Sequence, residues 1–461
     1  MPSTRDTTLE QLRRYESRNV TFVDPDGSWP IVWDRAKGCH VWDTEGRRYL
    51  DLTAAFGVAA AGHANPAVVR AGRHQMGHLL HAMGDVHPHT LKGDLAQALS
   101  RWTFERWTSA LPARQRLHGK SAFGTSGFEA IEIALKTARL ATGRPGILAF
   151  QGGYHGLGYG ALNATQRPLF REPFRNQLKE FGTFLPWPPC GTFDCPCTGS
   201  TCHPLLQLEA DLRRHLRTGR IGAILVEPIQ ARGGIRIPHP DFLPLLRRMA
   251  TEHGALLILD EIYTGFGRTG RWFATEHSGV VPDLICLGKA LTGGFPLSAC
   301  VGRADVMDQW PPTQGEAIHT STFVGHPVGC AMALAQLTEL ERRRLDDRSA
   351  TLGSELLTAL RQLPTHIGSL ELKVRGVGLM TGIELRRAGR PAGKEAVDAM
   401  KALLAEGFLV LPEGEHGEVL SLTPPLTIPR RDLLQAVGVI ASVFERIAHT
   451  GAPGPKPRRR R

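Results

Sequence analysis

Residues 255–289 read ALLILDEIYTGFGRTGRWFATEHSGVVPDLICLGK. Two short apolar runs, ALLILDE from Ala255 to Glu261 and DLICLGK from Asp283 to Lys289, each close on ionisable residues. Runs of this length, apolar at nearly every position, predict strands buried on both faces. Outward in the chain lie two more, GILAF (Gly146 to Phe150) and IGAILVE (Ile221 to Glu227), with a helical stretch from Phe242 to His253 between the second strand of the four and the third. Strands of this kind alternating with helices predict an α/β fold with a mostly parallel central sheet, helices on both faces. Ligands of such sheets bind outside the carboxyl ends of the strands.

Before this region, CHVWDTEGRRYLDL (Cys39 to Leu52) alternates around Glu45-Gly46 and predicts a β-hairpin. Helices are expected over Ala67 to Leu80 and over Leu91 to Trp107, the second continuing toward Pro112. After Pro327 a helix from Val328 to about Arg344 leads to an α+β part, with an alternating run from Lys373 to Leu385 and helices over Lys394 to Glu406 and Arg431 to Ala448.

The chain has 461 residues, 42% hydrophobic and 21% charged, which predicts more than one domain. Five of its eleven net positive charges sit in the last six residues, so the basic excess of the body is modest. The terminal GAPGPKPRRRR (451–461) reads as a disordered tail, and no aromatic and basic platform or helix-turn-helix accompanies it, which argues against nucleic acid. No apolar run approaches the roughly 20 residues of a membrane span. The N-terminal segment lacks a secretory apolar core, so a cytoplasmic location is expected. Four of the eight cysteines (Cys190, Cys195, Cys197 and Cys202) fall in a Pro-rich insertion at about 186–204. Their spacing lacks C-x-x-C pairs and leaves two readings, a zinc site or reduced thiols in a surface insertion.

The residues at the strand ends suit a phosphorylated pyridine aldehyde. Asp260 offers a carboxylate to a protonated ring nitrogen, which makes the ring an electron sink. Lys289 offers an amine whose pKa a desolvated, cationic setting depresses, and the Gly-rich run Ala290 to Ser298 permits close approach. Gly124-Thr125-Ser126-Gly127-Phe128-Glu129 opens a helical pattern with Ser126 and Glu129 at capping-box spacing. The N–H groups of Gly127 and Phe128, with a hydroxyl nearby, form an anion cradle. Tyr154, with His155 beside it, stands just past GILAFQGG, where a ring can stack.

The chain resembles the class III (ω-amino acid type) aminotransferases among the fold-type I pyridoxal-phosphate enzymes. The matching segments, in order, are TSGFEAIEIALKTAR, GGYHG, ILVEPIQARGG, LDEIYTGFGRTG, LGKALTGGFPLSA, HTSTFVGHP, VRGVGLMTGIEL and PPLTI, spanning the chain from Cys39 to the last helix. The resemblance implies pyridoxal 5'-phosphate as cofactor, Lys289 as Schiff-base lysine and proton shuttle, and Asp260 as partner of the pyridine nitrogen. Ile262 would pack under the ring and Tyr154 over it, Ser126, Gly127 and Phe128 would hold the phosphate, and Glu227 would orient polar neighbours. Thr322 would reach the phosphate of a neighbouring subunit, which implies a homodimer with shared sites. An N-terminal small-domain segment (1–75), a large domain (76–328) and a C-terminal small domain (329–450) are implied too. The partners would be a small amine donor and a keto acid acceptor in a ping-pong cycle.

Two departures stand out. Many relatives carry Thr or Ser where this chain has Phe128. Several place a carboxylate-binding arginine two or three residues before the Pro pair, where this chain has Ser421 ahead of Pro424-Pro425. Serine cannot form the charge-assisted fork. Arg232 or another basic residue is left to replace it. Ala54 to Gly57 and His81 to His89 are candidates for the substrate pocket, or else a capped loop with surface histidines. A lyase, epimerase or aminomutase on the same cofactor is the alternative activity. An inactive binding scaffold predicts loss of Lys289 or Asp260, and both are present.

Overall fold

The computed structural model describes residues 3–24, 29–189 and 203–450. The four cysteines of the insertion and the basic tail lie outside the described residues. The central sheet has seven strands: β1 (Gly119–Gly124), β2 (Gly146–Phe150), β3 (Gly182–Leu185), β4 (Ile221–Val226), β5 (Leu256–Asp260), β6 (Leu284–Leu287) and β7 (Ser298–Arg303). Their order in space is β1-β7-β6-β5-β4-β2-β3. From β3 through β6 every pairing is parallel, and β7 alone runs antiparallel to both its neighbours.

Alternation along these strands explains their continuous apolar character. Leu148, Phe150, Ile224, Val226, Leu257 and Leu259 face one core, packed by the helices His203–Leu216 and Phe242–Glu252. Ile147, Ala149, Ala223, Leu225, Ile258 and Cys286 face the other, packed by the helix Gly127–Thr142. Both faces are covered, so neither tolerates polar residues, and the polar chemistry collects at the strand ends.

The predicted hairpin forms from His40–Asp43 and Arg48–Asp51, joined by Trp33–Lys37. Its last strand pairs in parallel with Phe408–Leu409, so the two ends of the chain share a sheet. A second antiparallel sheet runs in the order His366–Ile367, Leu370–Val377, Met380–Arg387, Val419–Leu422, Leu411–Glu413. The alternating run thus holds two strands, turned at Gly378, where φ is +57°. The helix expected to reach Arg344 ends at Arg342, and a second helix, Leu345–Arg361, follows a left-handed Arg344 with φ +47°. Among the described residues no helix is long and apolar enough to cross a membrane.

The C-terminal part meets the central one through a tight backbone contact. A Cβ on Gly353 would lie 2.1 Å from the Gly378 carbonyl oxygen, and one on Gly378 would lie 2.4 Å from the Thr269 carbonyl carbon. Arg268, almost wholly buried, donates to the carbonyls of Leu379 (3.0 Å) and Pro424, while its own carbonyl accepts from Leu379 N–H (3.1 Å) and Ser349 Oγ (2.9 Å).

Candidate active site

Every parallel strand from β4 to β6 delivers an ionisable group to the same edge. Glu227 follows β4, Asp260 ends β5, and Lys289 lies two residues past β6. Strand β1 delivers the start of the helix Gly127–Thr142 there, and antiparallel β7 begins there with Ser298, opposite Gly124.

Asp260 is buried and held from two sides. Its Oδ2 lies 2.8 Å from His155 Nδ1, and its Oδ1 accepts the Ile262 N–H at 3.1 Å. Burial opposes charge on His155, but the hydrogen bond and charge of Asp260, with Glu227 beyond, outweigh it and raise the imidazole above its ordinary pKa. Glu227 is also buried; its carboxylate accepts the N–H groups of Tyr154 (3.0 Å) and Ala231 (3.1 Å). Burial pushes its pKa up to about 7. Tyr154 and His155 are therefore fixed by the two carboxylates that close the neighbouring strands.

Lys289 is half-buried, and its backbone is left-handed with φ +41°. A lysine gains nothing from that conformation by itself, so the surrounding structure imposes it. Its Nζ sits 4.6 Å from the centre of the Tyr263 ring, whose hydroxyl is 3.0 Å from Thr423 Oγ1. Enclosure by protein lowers the pKa of the amine, against the opposing pull of Asp260, Glu227 and Glu413. Ile262 links this lysine to the helix start. Its methyl groups would meet a Cβ on Gly127 at 3.0 Å and one on Gly288 at 3.4 Å, so glycine at both places lets the two segments close on it.

At the helix start, the Glu129 carboxylate accepts the Ser126 N–H (2.9 Å) and both the N–H and the hydroxyl of Thr125. The Glu129 half of the expected capping box is present. The Ser126 and Ser298 hydroxyl oxygens are buried with no hydrogen-bond partner. Helix geometry also leaves the first N–H groups without intrahelical acceptors. Unfilled donors at a helix N-terminus suit an anion. Phe128 is 39% exposed, so its backbone is what the cradle can use.

Thr322 stands apart from this group, exposed on the segment that precedes the helix Pro327–Arg342. The His81–His89 loop packs on that same segment, with His89 Nε2 2.7 Å from the Gly325 carbonyl and His81 5.4 Å from the Phe323 ring. Ala54, Ala55, Phe56 and Gly57 all have positive φ, a turn organised by Asp51, which accepts the N–H groups of Thr53 and Ala55. Gly57 lies against the Tyr263 ring. Ser421 is buried in the strand Val419–Leu422.

Four members of the group were not singled out from sequence: Tyr263, Arg167, Glu413 and the Ser298 hydroxyl. Tyr263 and Ser298 stand inside segments that were. Arg167 stands in a loop and Glu413 ends the short strand Leu411–Glu413, and no pattern marks either. A cavity of about 900 Å³ lined by Lys136, Arg139, Arg144 and Trp310, among others, shares no residue with this group.

Residues 22–444 match the family model described as aminotransferase class-III. The 5-aminovalerate aminotransferase of Pseudomonas aeruginosa is 33% identical, over 97% of this chain and 100% of its own. A leucine/methionine racemase of Thermococcus litoralis is 34% identical, over 88% of each chain. The crystal structure of a Bacillus anthracis aminotransferase superposes with a TM-score of 0.86 at 26% identity, covering 97% of this chain and 100% of that one. Sequence, fold and the ionisable strand ends agree: the chain belongs to the class-III aminotransferase family and is an aminotransferase.

Proposed function

We propose that this aminotransferase holds pyridoxal 5'-phosphate at the strand-end edge and moves an amino group from a small amine or ω-amino acid donor to a keto acid. The observation that carries the reading is the convergence of Asp260, Lys289 and a helix N-terminus with two unpartnered hydroxyls, bridged by Ile262. The residues fit the group. Ser126, Ser298 and the N–H groups of Gly127 and Phe128 would hold its phosphate, Asp260 its ring nitrogen, and Ile262 and Tyr154 its two faces. When bound, the cofactor supplies an electron sink for the carbon that bears the amino group.

The protein's own residues do the rest. Lys289 Nζ would hold the cofactor between turnovers and would take and return the proton at the substrate carbon, a task suited to an amine of lowered pKa. Asp260 is aimed by the His155 ring and the Ile262 N–H, so its carboxylate needs no rearrangement to meet a ring N–H. Glu227 fixes the loop that carries Tyr154.

We further propose a homodimer in which Thr322 completes the phosphate site of the second subunit. Its support is the exposure of Leu80, Met83, Val86 and Phe323 beside Thr322, apolar surface that a partner would cover. The division into segments 1–75, 76–328 and 329–450 is part of the same proposal, supported by the sheet that the two chain ends share.

The test is the visible absorption of purified protein with added cofactor. The expected result is a band that bleaches with an amine and returns with a keto acid. Ammonia release without an acceptor would favour a lyase instead, and loss of optical activity without an acceptor an epimerase.

A further inference from the structure

The strand that precedes Pro424-Pro425 presents a serine, so no guanidinium reaches the site from there. Two come from elsewhere. Arg232 lies on the loop after Glu227, its Cζ 5.2 Å from the centre of the Tyr154 ring. Its side chain is 36% exposed, and its Nε stands 3.8 Å from Glu413 Oε2, too far for a hydrogen bond. Arg167 donates one Nη to the Gly414 carbonyl at 3.0 Å.

The polar atoms among these side chains are not matched. Arg232 Nε and the second Nη of Arg167 are buried with no acceptor, and Glu413 Oε2 is buried with no donor. Glu413 is only 6% exposed, so water does not make up the deficit. The backbone, by contrast, is closed: Gly414 N–H donates to the Arg232 carbonyl at 3.1 Å. Two loops are thus clasped by their main chains while their charged side chains face each other unsatisfied. Leaving such atoms unpaired costs stability, so a ligand that pairs them gains affinity.

Two unfilled donor groups against one unfilled acceptor call for an acceptor-only ligand, and a planar carboxylate matches the guanidinium fork. We propose that Arg232, seconded by Arg167, binds the carboxylate of the amino donor and keto acid, and that Glu413 is a resident counter-charge that the substrate displaces. The proposal rests on the aminotransferase reading above, in which a keto acid enters the site in every cycle. It makes Arg232 a specificity-determining residue, supplied from the loop facing Tyr154 rather than from the strand of Ser421.

The experiment measures glutarate, an unreactive dicarboxylate, by calorimetry on the holoenzyme, and in parallel the half-reaction with 5-aminopentanoate and with n-pentylamine. Arg232→Ala is expected to weaken glutarate by about tenfold or more and to lower kcat/KM for 5-aminopentanoate alike, with n-pentylamine unchanged. Arg232→Lys, which keeps the charge but not the fork, falls between. Glu413→Gln removes the competing charge and should tighten glutarate by about threefold or more, a gain that loss of a merely structural contact would not give. Unchanged glutarate affinity in Arg232→Ala, equal losses on both amines, or weaker glutarate in Glu413→Gln would each overturn the proposal. If the wild type converts neither amine yet glutarate responds as described, the donor class proposed above fails and the carboxylate site stands.

Discussion

The floor of the site and its rim are built on opposite terms. On the floor, Asp260, His155 and Glu227 are buried and each carboxylate oxygen has a hydrogen-bond partner. On the rim, Arg232, Arg167 and Glu413 are brought close and left with unpaired atoms. A floor of fixed dipoles costs no reorganisation when charge develops at the cofactor. On the proposal above, a rim with spare donors keeps its hydrogen bonds for the substrate. The contrast separates what an aminotransferase must keep from what it can change to take a different amine.

Breaking the floor should cost most. Lys289→Ala should abolish the covalently held chromophore and lower turnover by about 10³-fold or more, read by visible absorption and half-reaction rates. Retained turnover would move the chemistry elsewhere. Next comes the joint between floor and rim, Arg268. Arg268→Met leaves the Leu379 and Pro424 carbonyls without their donor and should cost about 3 kcal/mol in urea unfolding, with little change in the chromophore.

Asp260→Asn tests whether the floor works by charge. Turnover should fall by about 10²-fold, and the His155 pKa, raised by Asp260, should drop in NMR titration. Turnover within threefold of wild type would show that the carboxylate only positions the ring.

The smallest effect concerns pH. Burial pushes both Glu227 and Glu261 from 4.5 to about 7. Between those values the folded chain binds more protons than the unfolded one, so stability falls as pH rises through the window. The cofactor-free protein should lose on the order of 1–3 kcal/mol from pH 4.5 to 7 through these groups, and Glu227→Gln should flatten the slope. Stability that holds level or rises through that window in chemical denaturation would show that Glu227 and Glu261 are ionised throughout.

The floor was largely legible in the sequence and the rim was not, for a physical reason. Strands buried on both faces exclude polar residues, so Asp260 and Lys289 mark the strand ends by contrast with what precedes them. Ser126 and Glu129 mark a helix start because capping needs those side chains at that spacing. Arg167 and Glu413 belong to a loop and a short strand far apart in the chain, brought together by tertiary contacts that leave no periodic trace. The left-handed turn at Ala54–Gly57 was equally hidden, since Ala and Phe do not favour positive φ and Asp51 holds them there. Strand β7 was missed because SACVGR is short and small, and it reads as the end of the Gly-rich run.

The stacked contact of Gly353, Gly378 and the Thr269 backbone has a bearing on recombining such enzymes. Those three points come from a helix, a hairpin turn and a loop on both sides of the proposed domain boundary, and neither glycine has room for a methyl group. A chimera that exchanges the C-terminal part with a relative must therefore carry matched versions of GFGRTG, the helix around Gly353 and VRGVG. A crossover that separates them would leave the two parts unable to seat against each other, and the proposed substrate rim, which spans both, would not assemble.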